Sequence, residues 1–242
     1  NGSVLGGSNA GSNSIQITQS VQWQGGNYSY DSFRLACVQG SCGEIHVTGG
    51  PLKITANIII IDAGASIFAD ELILGYGGAG NSTSRGSNGK SPGAGGAGHG
   101  GSGGSGGGTN GGAGGQNYGN GSEPGSSGGN VTFTNANGQT TNDADGGAGG
   151  GVIDFAAGTI YVNGTLSANG GDGDNGEAPV SGTGPGGSGA GGGSGGSISV
   201  IANSVYIGNN ALLSANGGDG GAGAPGVQAG IGIGMYDGGN GG

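Results

Sequence analysis

Glycine fills two of every three positions over long stretches of this chain, and no other feature restricts its fold as much. Of 242 residues, 73 are Gly, where an ordinary domain carries about 7%. Glycine loses more backbone entropy on folding than any other residue and brings no side chain to bury. Such stretches are either flexible linker or an arrangement in which backbone packs on backbone. The spacing of the remaining residues favours the second. Ala94 and Ala97 are three apart, as are His99, Ser102 and Ser105, and again Asn216, Asp219 and Ala222. Tyr76 and Ala79, Asp145 and Ala148, Asn169 and Asp172, and Ser194 and Ser197 repeat the interval. A Gly-Gly-X triplet fits a left-handed helix of about three residues per turn, with every side chain on one edge and bare backbone on the other two. That helix has no internal hydrogen bonds, so ordered copies must bond to neighbours. Collagen is excluded by composition, since it needs plentiful Pro and this chain has 6.

Between the glycine stretches lies a repeat. Leu52-Lys53-Ile54-Thr55-Ala56-Asn57 aligns with Ile198-Ser199-Val200-Ile201-Ala202-Asn203, and Ile59 and Ile61 align with Val205 and Ile207 without a gap. Ala65 to Ala69 then matches Ala211 to Ala215. A middle copy starts at Ile153-Asp154-Phe155, continues as Ile160-Tyr161-Val162 and ends in Ser167-Ala-Asn-Gly-Gly-Asp-Gly173, the same seven letters as Ser214 to Gly220. Alternation with β-branched residues predicts three short strands per unit. Such a unit cannot bury its apolar face alone, so the copies are expected to stack.

The expected organisation is all-β with polyglycine II helices and essentially no α-helix. Residues 1–50 read as an N-terminal β cap or assembly module, with strands around Trp23, Tyr28 to Tyr30 and Ile45 to Val47. Residues 51–242 read as three β units (51–75, 151–168 and 197–215), forming a β-solenoid or a β-sandwich. They are interleaved with glycine-rich polyglycine II segments (76–130, 169–196 and 216–242). The net charge is −10, with Arg34, Lys53, Arg85 and Lys90 as the fixed cations, so no basic patch is available for nucleic acid. No apolar run approaches the roughly 18 residues of a membrane span. The start at Asn1, without Met, suggests a processed product. Cys37 and Cys42 are too far apart for a CxxC pair and read as a short-loop disulfide, which implies an oxidising, extracellular setting.

The run Gly192 to Ile198, the alternating strands and the Ser-Ala-Asn-Gly-Gly-Asp-Gly ending together resemble glycine-rich repeats of secreted microbial surface proteins. The triplet segments resemble the polyglycine II bundles of phage tail adhesins and small antifreeze proteins. The resemblance covers roughly residues 50–242 and carries no catalytic residues. It implies a structural subunit of an extracellular filament, sheath or surface layer, self-assembling as a homopolymer through strand addition and backbone bonding. The alternatives are an adhesin tip using contacts such as Tyr118 or Tyr236, and an ice-binding protein, which the mixed triplet side chains suit poorly.

No catalytic residues are assigned, because the acids stand singly in glycine turns, and no third metal ligand lies near His46 or His99. Asp172, Asp174 and Glu177 bring three carboxylates close together and form the candidate Ca²⁺ loop, with a solvated acidic turn as the competing reading. Asn1, Asn27, Asn81, Asn120, Asn130 and Asn163 begin N-x-Ser/Thr sequons and are candidate glycan acceptors.

Overall fold

The computed structural model describes residues 13–72, 79–85, 92–108, 110–119, 122–134, 140–177, 186–226 and 241–242. Among them no α-helix occurs. The strands are β1 (Ser14–Ile17), β2 (Ser20–Leu35), β3 (Cys37–Val38), β4 (Ser41–Cys42), β5 (Glu44–Ile61), β6 (Ser66–Phe68) and β7 (Thr83–Arg85). They continue as β8 (Val131–Thr134), β9 (Thr140–Ala144), β10 (Val152–Val162), β11 (Thr165–Ser167), β12 (Ser197–Ile207) and β13 (Leu212–Ser214). The fold is all-β, and the main sheet is parallel throughout.

That sheet has two runs. In one, β1, the later part of β2, the later part of β5, β10 and β12 lie side by side. In the other, the start of β2, the start of β5, β6, β11 and β13 do so. The chain visits the two runs alternately, so each pass through both makes one rung, and the described residues form five. The residues that align in sequence are neighbours in the sheet: Leu52, Ile153 and Ile198 share one row, and Ile61, Val162 and Ile207 another. The first two expected strands of each unit are continuous, giving β10 and β12 and the later part of β5. Ala56 and Ile59 are both buried although three apart, so the strand changes face at Asn57. The pairing skips the matching positions Asp31, Gly158 and Asn203. β5 itself runs unbroken across residue 50.

The core follows from this register, because each row holds apolar residues of several rungs. One row is Ile15, Phe33, Ile59, Ile160 and Val205; a second is Val21, Ile45, Ile67, Leu166 and Leu213. Phe33, Ile45, Ile59, Ile67, Phe155, Ile160 and Leu166 are fully buried. At the β1–β2 end these rows finish on Ile15 and Val21, and neighbouring rows finish on aromatics. Trp23 packs edge-on against Tyr28 (centroids 5.1 Å) and near Phe33 (6.0 Å), filling the position that Ala69, Ala168 and Ala215 hold in later rungs.

The glycine segments leave the sheet between a short strand and the next long one, and they bond to one another. Their N–H groups follow a rule of three. Gly93 and Gly96 donate to Gly107 and Gly104, Ala94 and Ala97 donate to Gly189 and Gly192, and Gly95 between them donates to Asn81. On a second segment, Gly191 and Ser194 donate to Gly129 and Ser126, while Ala190 and Gly193 donate to Asp174 and Gly171. A Cβ on Gly191 would fall on the carbonyl oxygen of Gly95; the segments touch at distances that only glycine permits. Between 92 and 107 no residue has a left-handed φ; that value first appears at the turn of Gly108 (φ 83°). The small sheet β7–β8–β9 inside this region was missed in sequence, although Val131-Thr-Phe-Thr134 carries the alternating signal. Gly241 and Gly242 bond to Gly221 and Ala94 of the same chain, so ordering those last residues needs no second subunit. The apolar segment around Ile231 to Tyr236 lies outside the described residues.

Candidate assembly interface

The rows that make the core stop uncovered at one end. Ile160 and Leu166 are 0% exposed, while Val205 and Leu213, in the same rows one rung later, are each 42% exposed. Ile207 continues the row of the buried Val162 and is 54% exposed. These side chains point inward like their predecessors, and what they lack is a rung beyond. β12 pairs with β10 on one side and with no strand among the described residues on the other. The outer face of β12 adds Ile201 and Tyr206, and β13 adds Leu212, with Tyr206 stacked on Tyr161 at 4.7 Å and 9°.

Polar side chains tie the last rungs together, most of them in one direction. Asp70 Oδ1 accepts from Ser167 Oγ (2.7 Å) and the Asn169 N–H (2.5 Å). One rung later Asn169 Oδ1 accepts from Ser214 Oγ (2.7 Å) and the Asn216 N–H (2.8 Å). Asn163, Asp172 and Asn175 likewise accept from the N–H groups of Asn210 (3.1 Å), Asp219 (2.7 Å) and Ala222 (2.7 Å). Each of the last four backbone N–H acceptors serves a residue 47 positions later, so the Ser-Ala-Asn-Gly-Gly-Asp-Gly ending is a ladder element. Sequence reading saw the repeated letters but not their role, since the hydrogen bonds run between copies.

The candidate Ca²⁺ loop is drawn into this work. Asp172 holds the Asp219 N–H, and an Asp174 oxygen accepts from the Asp145 N–H at 3.3 Å, while Glu177 lies exposed at the end of its described segment. Among the described residues no three His, Cys, Asp or Glu side chains gather closely enough to hold a metal.

The two histidines sit in different surroundings. His46 stacks on Phe68 (5.3 Å) and pairs with Glu44. His99 is 8% exposed, donates from Nδ1 to the Gly195 carbonyl (3.0 Å) and packs on Tyr118 (5.0 Å). Its Nε2 has no hydrogen-bond partner among the described residues. Beside it a cleft of about 530 Å³ is lined by Ser102, Ser194, Ser197, Ile198 and Ala215, at the same uncovered end. Tyr118 donates to the Pro124 carbonyl; Tyr236 lies outside the described residues.

Cys37 and Cys42 form a disulfide across the β3–β4 hairpin. Its turn places Gln39 (φ 51°) and Gly40 (φ 84°) in the left-handed region. Of the sequons, Asn27 and Asn81 are exposed, whereas Asn130 and Asn163 are half-buried and accept backbone N–H groups of Gly146 and Asn210. Asn1 and Asn120 lie outside the described residues. Among the described residues no helix is long and apolar enough to cross a membrane. No family model, no curated protein and no solved structure matches the chain.

Proposed function

We propose that this protein is a non-enzymatic structural subunit of an extracellular filament, sheath or surface layer, built to associate with further copies of itself. The sheet is read as a parallel β-solenoid and the glycine segments as a bundle of polyglycine II helices carried on its side. Parallel pairing of successive passes supports the first reading, because a sandwich of hairpins pairs antiparallel. The return of N–H groups three residues apart to one neighbour supports the second. The disulfide and the exposed sequons at Asn27 and Asn81 favour an oxidising, secreted setting.

The observation that carries the assembly reading is the uncovered end of the core at Val205, Ile207 and Leu213. Open apolar sheet edges template association, and soluble monomers normally block them. Sedimentation velocity and electron microscopy over a concentration series test the proposal. Growth into larger species with concentration is expected, and the V205K/L213K double variant is expected to abolish it while retaining the strand spectrum. A wild-type protein that stays monomeric at every concentration would overturn the reading.

A further inference from the structure

We infer that the β12–β13 end receives the first rung of a second copy, parallel and in register, so that copies join head to tail. The inference rests on the self-assembly reading above and adds to it the partner surface, the polarity and the register.

Two surfaces could meet the open end: the same end of another copy, or the opposite end. The ladder of side-chain oxygens separates them. At Asp70 and again at Asn169 the side-chain oxygen points toward the later rung and accepts from its backbone N–H. Asn210, Asn216 and Asp219 are the last members. They are exposed, and their side-chain oxygens accept nothing among the described residues. If two such ends met, acceptor would face acceptor and the Asp219 carboxylates would approach each other without a donor, an arrangement that costs free energy. A parallel strand arriving in the same sense brings the N–H groups that Asp70, Asn163, Asn169 and Asp172 each take from the rung after them.

The opposite end offers such strands. β1 has β2 on one side and no strand on the other among the described residues, and the start of β2 is likewise open beyond β5. Its core-facing residues Ile15, Ile17 and Val21 are half-buried and belong to the rows that finish on Val205, Ile207 and Leu213. Continuing the register sets Ser204–Ile207 against Ser14–Ile17 of the second copy, and Leu212–Ser214 against residues 20–22 of the second copy. Asn216 then meets the Gln24 N–H of the second copy. Apolar rows meet apolar rows and acceptors meet donors. A contact between two different surfaces does not close on itself unless it rotates into a ring, so an open fibre results. Five rungs at about 4.8 Å give an axial repeat of about 24 Å per subunit.

Two single-cysteine additions test the geometry. Ser20 and Leu212 are both exposed and are level in the proposed register. Mixing S20C with L212C under mild oxidation should give the mixed cross-link as the main product, with little from L212C alone. Asn216→Ala should weaken association roughly fivefold to tenfold, the effect of one lost hydrogen bond. Assembly accompanied by L212C–L212C cross-links, or by neither cross-link, would overturn the head-to-tail geometry and leave self-assembly standing. A wild-type protein with no assembly would overturn both.

Discussion

At Gly191 a single Cβ would collide with the carbonyl oxygen of Gly95, and this backbone is fixed by hydrogen bonds on several sides. Gly191→Ala should therefore destabilise by more than the 1 kcal/mol or so that separates these residues elsewhere. Chemical denaturation would show the lowered midpoint, and an unchanged midpoint would mean the segments do not pack this closely. Tyr30 shows the opposite kind of constraint. Burial, and secondarily the neighbouring Tyr28, push its phenol above the ordinary value of 10.0. The folded state thus holds its proton more tightly than the unfolded state. The associated stability is fully present below pH 10 and is lost as the pH rises past the unfolded value toward the folded one. Tyr30→Phe removes this titration, so its stability should fall less steeply above pH 10 than that of the wild type.

Among the elements, the long strands carry the stability, because each contributes a row-filling residue to the core. Phe155 on β10 is fully buried and lies between the Ile54 and Val200 rungs. Phe155→Ala should cost about 3–5 kcal/mol, measurable as a lower denaturation midpoint. The β3–β4 disulfide closes a far shorter loop. With a sequence separation of 5, the chain-entropy estimate for Cys37→Ala/Cys42→Ala is about 2 kcal/mol. The double variant should keep the sheet and lose only that increment; complete unfolding would mean the hairpin holds β2 and β5 together. Strand identity was legible in sequence because β-branched alternation announces it. The corner at Asn57 was not, since nothing local distinguishes a change of face within one strand from a break between two.

For the whole molecule, a net charge of −10 opposes any contact between copies. Ionic strength should therefore promote association, with most of the gain reached once the Debye length shrinks to about 8 Å near physiological salt. Light scattering across a salt series measures this. Assembly that weakens steadily with salt would indicate ion pairs at the contact in place of apolar rows and neutral hydrogen bonds.

The sequence by itself determined the all-β class, the repeat and its phase, the disulfide and the interval of three in the glycine stretches. Each is a local or self-similar property: alternation within a strand, identity between copies, a short cysteine loop, the position of side chains along a triplet. Only the tertiary structure decided that Asn163, Asn169 and Asp172 serve backbone N–H groups 47 residues later, so that one carboxylate of the candidate Ca²⁺ loop, Asp172, is taken up by the ladder. It also decided that Val205, Ile207 and Leu213, which share rows with the buried Ile160, Val162 and Leu166, end without a cover among the described residues. Burial in a stacked fold depends on whether a neighbour exists, and no residue's own sequence context records that.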